Sequence, residues 1–320
     1  MNDQILGFFH SWIEEFSKHA EKVTVICLEK GDYSLPENVS VISLGKESGA
    51  GKISYVLSFY KNIFLRRKDY DHVFVHMNQI YIILGGLVWK LMNKKVSLWY
   101  AHGHVSLSLR FAEKIVNTIV TSTERGFRLK SDKVKVVGQG IDENKFAPNK
   151  LIPKLDKRIL TVGRVSKVKN VHIMLDVLSA LPDYRLDIVG DSVTEVDVLY
   201  LKDCNDRALE LGVEQRVVWH GSKTQSELIT YYQQSTVFLN LSETGSLDKV
   251  ILEAMFCNLP VVTSNQALEK FPVLYVDKPD NITEVLSCIK SLEGKACDVR
   301  GAVIEDNSLQ NLIPKIMEVI

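Results

Sequence analysis

Short apolar runs alternate along this chain with longer segments whose apolar residues recur every three or four positions. A run of the first kind fits a strand buried on both faces, and the second spacing fits a helix lying on a sheet. In the first half the runs predict strands at 22–28, 39–44, 72–75, 96–100, 118–121 and 134–137. Between them the helical spacing predicts helices at 53–67, 80–92, 105–116 and, more briefly, 124–129. The second half predicts strands at 159–162, 185–189, 217–220, 237–241, 260–263 and 273–276, with helices at 198–211, 226–234 and 282–292 and a last one at 308–320. Strand followed by helix, repeated, is the signature of an α/β protein with parallel sheets.

The opening breaks the pattern. A doubly wound domain starts with a strand and a glycine-rich turn, whereas residues 8–19 already read as a helix directly after Met1-Asn2-Asp3. The first domain therefore lacks its first strand, and the expectation is that the sequence starts downstream of it rather than that another segment takes its place. Pro148, Pro153 and a cluster of lysines mark a linker at 151–157. The expected division is a domain at 1–150, a second at 151–305, and a closing segment at 306–320 that packs back towards the first domain.

Composition narrows the classes. The 320 residues hold two cores, and 46% apolar with 24% charged is ordinary for a globular protein. Lys+Arg and Asp+Glu both number 39, so a broadly basic nucleic-acid binder is excluded. The five cysteines are scattered, with no CxxC pair, and read as reduced thiols of a cytoplasmic protein. The most apolar stretch, 80–91, is about half the roughly 20 residues that span a bilayer. The Gly- and Lys-bearing loop 45–52 is not a phosphate loop, because Ile53 follows Gly51-Lys52 where a hydroxyl would hold magnesium.

The chemistry concentrates in 242–263. After the strand at 237–241, a glycine-bearing loop leads into a helix with Val250, Ile251, Ala254 and Met255 on its apolar face. Ser246 or Asp248 can cap its start, and Asn258 with Pro260 ends it. The backbone N–H groups of Ser246, Leu247 and Asp248 then stand at the positive end of the helix, where a phosphate can replace water. Glu253 is expected to face the same pocket. At the corresponding turn after the strand 159–162, Gly163-Arg164 and Lys169 set two cations at a spacing that reaches a diphosphate.

The run Glu253-Ala254-Met255-Phe256-Cys257-Asn258-Leu259-Pro260-Val261-Val262 resembles the nucleotide-binding signature of the retaining glycosyltransferases of family 4. Gly163-Arg164 with Lys169 is similar to the family's second signature, and Gly140-Ile141-Asp142 with Phe146 to its crossing between domains. The resemblance covers most of 118–320 and is thin before Val96. One position departs: Gly245 stands eight before Glu253, where the family has a first glutamate, and Glu243 lies two residues earlier.

The resemblance implies the GT-B fold, two Rossmann-like domains facing across a cleft, and transfer of a sugar from a UDP- or GDP-sugar to a hydroxyl acceptor with retention. That acceptor would be a glycan, a lipid-linked molecule or a small molecule. It implies no cofactor and no metal, and no Asp-x-Asp motif sits in the setting that metal-dependent transferases use. Arg164, Lys169 and His102 become the expected catalytic residues, His102 because it follows its strand as Tyr-Ala-His. The expected donor contacts are Gly163, Arg164, Lys169, Gly190, Asp191, Gly245, Ser246, Leu247, Asp248, Lys249 and Glu253, the last on the ribose hydroxyls. Asp248 either caps the helix or bonds a sugar hydroxyl. Lys249 either meets phosphate or pairs with Glu253 on a surface. His72, His172 and His220 are read as structural. The basic end of the helix at 53–67, with Lys61, Arg66, Arg67 and Lys68, is either solvated or touches anionic lipid at the inner face of a membrane. Two rivals are a non-hydrolysing nucleotide-sugar epimerase and an inactive sugar-nucleotide binder.

Overall fold

A computed structural model describes residues 9–243, 247–295 and 297–320. The chain forms two compact units, Met1–Gly140 with Leu309–Ile320, and Ile141–Ser308.

In the first unit α1 (Phe9–Lys18) precedes β1 (Val23–Cys27) and β2 (Val39–Ser43), and α2 (Lys52–Leu65) leads to β3 (His72–His76). Then come α3 (Ile80–Leu91), β4 (Lys95–Trp99), α4 (Leu107–Ile115), β5 (Thr118–Thr121) and β6 (Val134–Val136). The strands lie in two parallel sheets, β1-β2 and β3-β4-β5-β6.

Strand alternation sorts the side chains of β4 onto two cores. Val96 and Leu98 join Phe59 and Ile63 of α2, Ile82 and Trp89 of α3, and Leu109 of α4. Gly86 makes that helix layer possible, because a Cβ there would stand 2.5 Å from the Ile115 side chain. Trp99, on the other face, meets Trp12 of α1 edge-on at 4.9 Å between ring centroids.

The second unit runs β7 (Arg158–Val162), α5 (Val171–Ser179), β8 (Arg185–Val189), α6 (Glu195–Glu210), β9 (Val217–Trp219), α7 (Gln225–Gln234) and β10 (Val237–Asn240). It continues with α8 (Lys249–Phe256), β11 (Val261–Thr263), β12 (Leu274–Tyr275), α9 (Ile282–Ser291) and α10 (Gly301–Asn307). Its six strands form one parallel sheet in the order β12-β11-β10-β7-β8-β9. The last helix, α11 (Leu309–Val319), belongs to the first unit, where Leu309, Leu312, Ile313 and Ile316 cover Trp12, Trp99 and Val120.

Three of the differences from the sequence expectation have a local cause. The helix expected at 124–129 is a single 3-10 turn, Glu124–Gly126, after which Phe127 is extended and buried. Gly126 passes so close to β5 that a Cβ would lie 2.4 Å from Thr121 Oγ1, which leaves no room for a wider helical turn. Helix α6 starts three residues before the expected 198, because Thr194 and Asp197 close a reciprocal capping box. Helix α10 was not expected at all. It starts after Arg300, whose guanidinium donates to the carbonyls of Glu143, Phe146 and Phe256.

Candidate functional site

In an open parallel sheet a ligand binds beyond the C-terminal ends of the strands, where strand order reverses and two neighbouring loops turn apart. In the second unit that place is between β7 and β10. They pair directly, Ile159 with Val237 and Leu160 with Phe238, although some 78 residues of chain separate each pair, as in Arg158 bonding Thr236. Their following loops carry Gly163 to Lys169 on one side and Asp248 on the other. A shallow pocket lined by Gly163, Arg164, Lys169 and Asn240 opens at this point.

The floor is backbone. Gly163 and Gly190 have φ of +143° and +138°, and a Cβ on Gly190 would stand 2.0 Å from the Gly163 carbonyl oxygen, so only glycine fits there. Gly190 N–H donates to Gly221 O at 2.9 Å. Asp191 laces the same loops, its carboxylate accepting from Ser222 N–H at 3.3 Å and its carbonyl from Val165 N–H at 3.0 Å. These two residues thus shape the pocket from below.

The wall is a set of side chains joining the two loops. Asn170, in the left-handed region at φ +54°, donates to Leu241 O at 2.9 Å and to Glu243 Oε2 at 3.1 Å. Lys169 donates to Asp248 Oδ2 at 2.6 Å and reaches Ser242 Oγ at 3.5 Å. The same Asp248 oxygen accepts from Asn240 Nδ2 at 3.2 Å. Asp248 is the N-cap residue of α8, yet its side chain makes no capping bond. Arg164 is 49% exposed at the pocket rim, with Asp197 Oδ2 3.8 Å from its Nε.

Glu253 is 4% exposed, and its carboxylate is bonded from within the protein. Tyr232 Oη donates to Oε2 at 3.1 Å and Gln225 Nε2 to Oε1 at 3.3 Å. Burial pushes the Lys249 ammonium down to about 8, with Glu253 pulling the other way and Lys145 adding to the depression. Lys249 is half-buried, four residues before Glu253 on α8. Leu247 packs against the core on this side of the sheet. Gly245 and Ser246 lie outside the described residues.

His102 belongs to the first unit. It is exposed on the loop after β4, and its Nδ1 accepts from the His104 N–H at 3.0 Å. His72, His172 and His220 are half-buried and hydrogen-bonded. His72 bonds Ser97 Oγ at 3.0 Å and is pushed down to about 4 by burial; His172 bonds Tyr200 Oη at 2.8 Å, and His220 bonds Asp187 at 2.6 Å. Among the described residues no group of three His, Cys, Asp or Glu side chains is arranged to hold a metal.

Sequence reasoning pointed to Arg164 and Lys169, which line the pocket, and to Glu253, which is buried and bonded by Tyr232 and Gln225; it did not point to Asn170, Asn240, Gln225 or Tyr232. Asn170 and Asn240 had a signal, each being a polar residue at the C-terminal end of a strand or at the turn that follows it. Tyr232 and Gln225 had none, since they come from α7 and reach Glu253 only through the fold.

Comparison with known proteins follows the same division into units. Residues 142–269 match the family model described as glycosyl transferases group 1, and residues 3–128 the one described as glycosyl transferase 4-like. An uncharacterized glycosyltransferase of Haemophilus influenzae is 30% identical over 154 residues, which are 46% of this chain and 41% of that protein. The D-inositol 3-phosphate glycosyltransferase of Mycolicibacterium smegmatis is 28% identical over 178 residues, 51% of this chain and 39% of that protein. The chain thus spans about two fifths of the length of these curated relatives. Among solved structures, Anabaena HepE in complex with UDP and glucose aligns with a TM-score of 0.76 at 16% identity, covering 99% of this chain and 97% of that one. A glycosyltransferase from Rickettsia africae aligns with a TM-score of 0.77 at 16% identity, covering 100% and 95%. The fold shared with these structures is GT-B.

Proposed function

We propose that this chain, whose two units have the GT-B fold and each match a glycosyltransferase family model, transfers a sugar from a nucleoside-diphosphate sugar to a hydroxyl acceptor with retention at the anomeric carbon. The observation that carries the proposal is the meeting of Arg164 and Lys169 at the strand-order reversal of the second unit. When a glycosidic bond to a diphosphate breaks, charge builds on the departing oxygens. Cations and helix N–H groups already aimed at that place stabilise it without reorganisation. Lys169 supplies a compact charge and Arg164 a planar fork. The amides of Leu247 and Asp248 at the start of α8 add to them, and no metal is required.

Glu253 serves the ribose. A carboxylate has about four acceptor positions, so the bonds from Tyr232 and Gln225 fix its orientation and leave lone pairs for two hydroxyls. UDP is the favoured carrier, because HepE, which shares the fold over nearly the whole chain, was solved with UDP and glucose. His102 is proposed as an acceptor-side residue of the first unit. The acceptor is a glycan, lipid-linked or small-molecule hydroxyl.

Peripheral contact with an anionic membrane is part of this reading. Among the described residues no helix is long and apolar enough to cross a membrane. However, α2, α3 and α4 share one core face, and outward they expose Leu57, Leu87 and Phe111 beside Lys61, Lys90 and Arg110. An apolar surface rimmed by cations suits an anionic lipid surface.

The test is thermal stabilisation by UDP, GDP, ADP and their sugars, followed by NMR of the anomeric centre in any product. A ligand at a hundred times its dissociation constant should add about 2.7 kcal/mol if it binds only the folded state. Stabilisation by one nucleotide, lost in both Arg164→Ala and Lys169→Ala, is the expected result. Silence with every nucleotide would sink the proposal, and conversion of donor alone would point to an epimerase.

A further inference from the structure

We infer that Asp248 is a resident anion: it holds Lys169, and a diphosphate that takes Lys169 as its partner has to displace it. This inference rests on the donor reading of the same pocket and adds a determinant of which phosphate ligands enter it.

The geometry is unusual for the position. An aspartate at a helix N-cap normally turns its side chain to the N–H groups of the first turn, which otherwise lack partners. Asp248 occupies the N-cap of α8 and makes no such bond. Its carboxylate is turned instead to Lys169 at 2.6 Å and Asn240 at 3.2 Å, both on the same oxygen. The Lys169 and Asp248 side chains are 18% and 16% exposed, so water screens this pair only partly. A local preference has given way to a contact between loops 79 residues apart in sequence.

The place of the contact gives it meaning. It spans β7 and β10 where the sheet reverses, at the entrance to the pocket. A phosphate bonded to Lys169 would bring a second anion next to Asp248, and like charges a few ångströms apart repel strongly where solvent is partly excluded. Either the carboxylate moves or the phosphate stays out. A diphosphate, with more charge and more acceptor oxygens than a monophosphate, is the ligand best able to displace it. A nucleoside gains nothing from doing so. Arg164 differs, because its nearest carboxylate, Asp197, is 3.8 Å away and is engaged in the capping box of α6.

The experiment compares the wild type with Asp248→Asn, Asp248→Ser, Lys169→Ala and the Asp248→Asn/Lys169→Ala pair. Isothermal titration gives affinities for UDP, inorganic pyrophosphate and uridine. Asparagine keeps the shape and removes the charge, while serine removes the charge and can restore a cap. Both single variants should bind UDP and pyrophosphate at least about tenfold more tightly, uridine should be unchanged, and the gain should vanish in the pair. Unchanged or weaker pyrophosphate binding in folded Asp248→Asn and Asp248→Ser overturns the inference. If the wild type binds UDP and turns over donor yet neither variant gains, the inference fails and the transferase reading stands. If the variants gain pyrophosphate but no nucleotide binds and nothing is transferred, the inference stands and the transferase reading fails.

Discussion

The two units repeat the same alternation of strand and helix, yet they differ in where a ligand could be held by charge. In the second unit strands distant in sequence are neighbours in the sheet, so the loops after β7 and β10 come together. Those loops bring Lys169, Asn170, Asn240 and Asp248 within hydrogen-bond distance of one another's partners. In the first unit the strands run in sequence order within each sheet, β1-β2 and β3-β4-β5-β6, and no pair among the described strands reverses that order. Its distinctive charge lies outside, on helices α2, α3 and α4, which carry five Lys or Arg and one acid, Glu113. The same architecture therefore yields an internal seat for an anion in one unit and an outward basic face in the other. Strand order sets the first, and the Lys and Arg of the surface helices set the second.

The comparison can be broken most severely at Glu253. If the seat of the second unit is set by a buried network, Glu253→Ala should lower stability by about 2 kcal/mol, since it removes the acceptor of the buried Tyr232 hydroxyl and of the Gln225 amide. Tyr232→Phe should lower it by about 1 kcal/mol. Urea unfolding followed by circular dichroism measures both, and an unchanged midpoint for Glu253→Ala would mean that the network holds nothing.

A smaller effect sharpens the contrast from the side of the first unit. Burial takes His72 from 6.5 down to about 4, so the fold favours its neutral form. That contribution is present above pH 6.5 and disappears as pH falls through 4, because the unfolded chain then binds a proton that the folded one resists. Allowing for its partial exposure, the loss is about 1 kcal/mol. Melting curves from pH 7 to 4 should show a shallower decline in His72→Gln than in the wild type; equal slopes would dismiss the effect.

The smallest expected effect concerns the outer face. Leu57→Ser with Leu87→Ser should weaken sedimentation with phosphatidylcholine vesicles containing phosphatidylglycerol severalfold while leaving UDP binding intact. Wild-type protein that stays in the supernatant with such vesicles at low salt would remove the membrane contact from the proposal.

Much of this fold was legible in the sequence. Apolar runs such as Val237-Phe238-Leu239 have few other uses than a strand covered on both faces, and β8 begins and ends where the pattern predicts. Short elements were not legible. GAVIEDN has too few apolar positions to show a period, and α10 depends on Arg300 bonding three distant carbonyls. At the site, Arg164, Lys169 and Glu253 stood out through their resemblance to the family's two signatures; by itself a pair of cations at a turn reads as a solvated basic turn. The behaviour of Asp248 could not. Cap preference is a local property, and it was overruled by a lysine whose position only the completed sheet defines.

The path of the chain through the first unit has a consequence for synthesis. Residues 141–308 form the second unit and interrupt the first, whose other face is covered by α1 together with Leu309, Leu312, Ile313 and Ile316. During translation, the second unit has all its residues before the first can bury Trp12, Trp99 and Val120. A stop codon just after Ser308 would thus spare the unit nearest to it in sequence and strip part of the shelter from Trp12 and Trp99, which are made long before it.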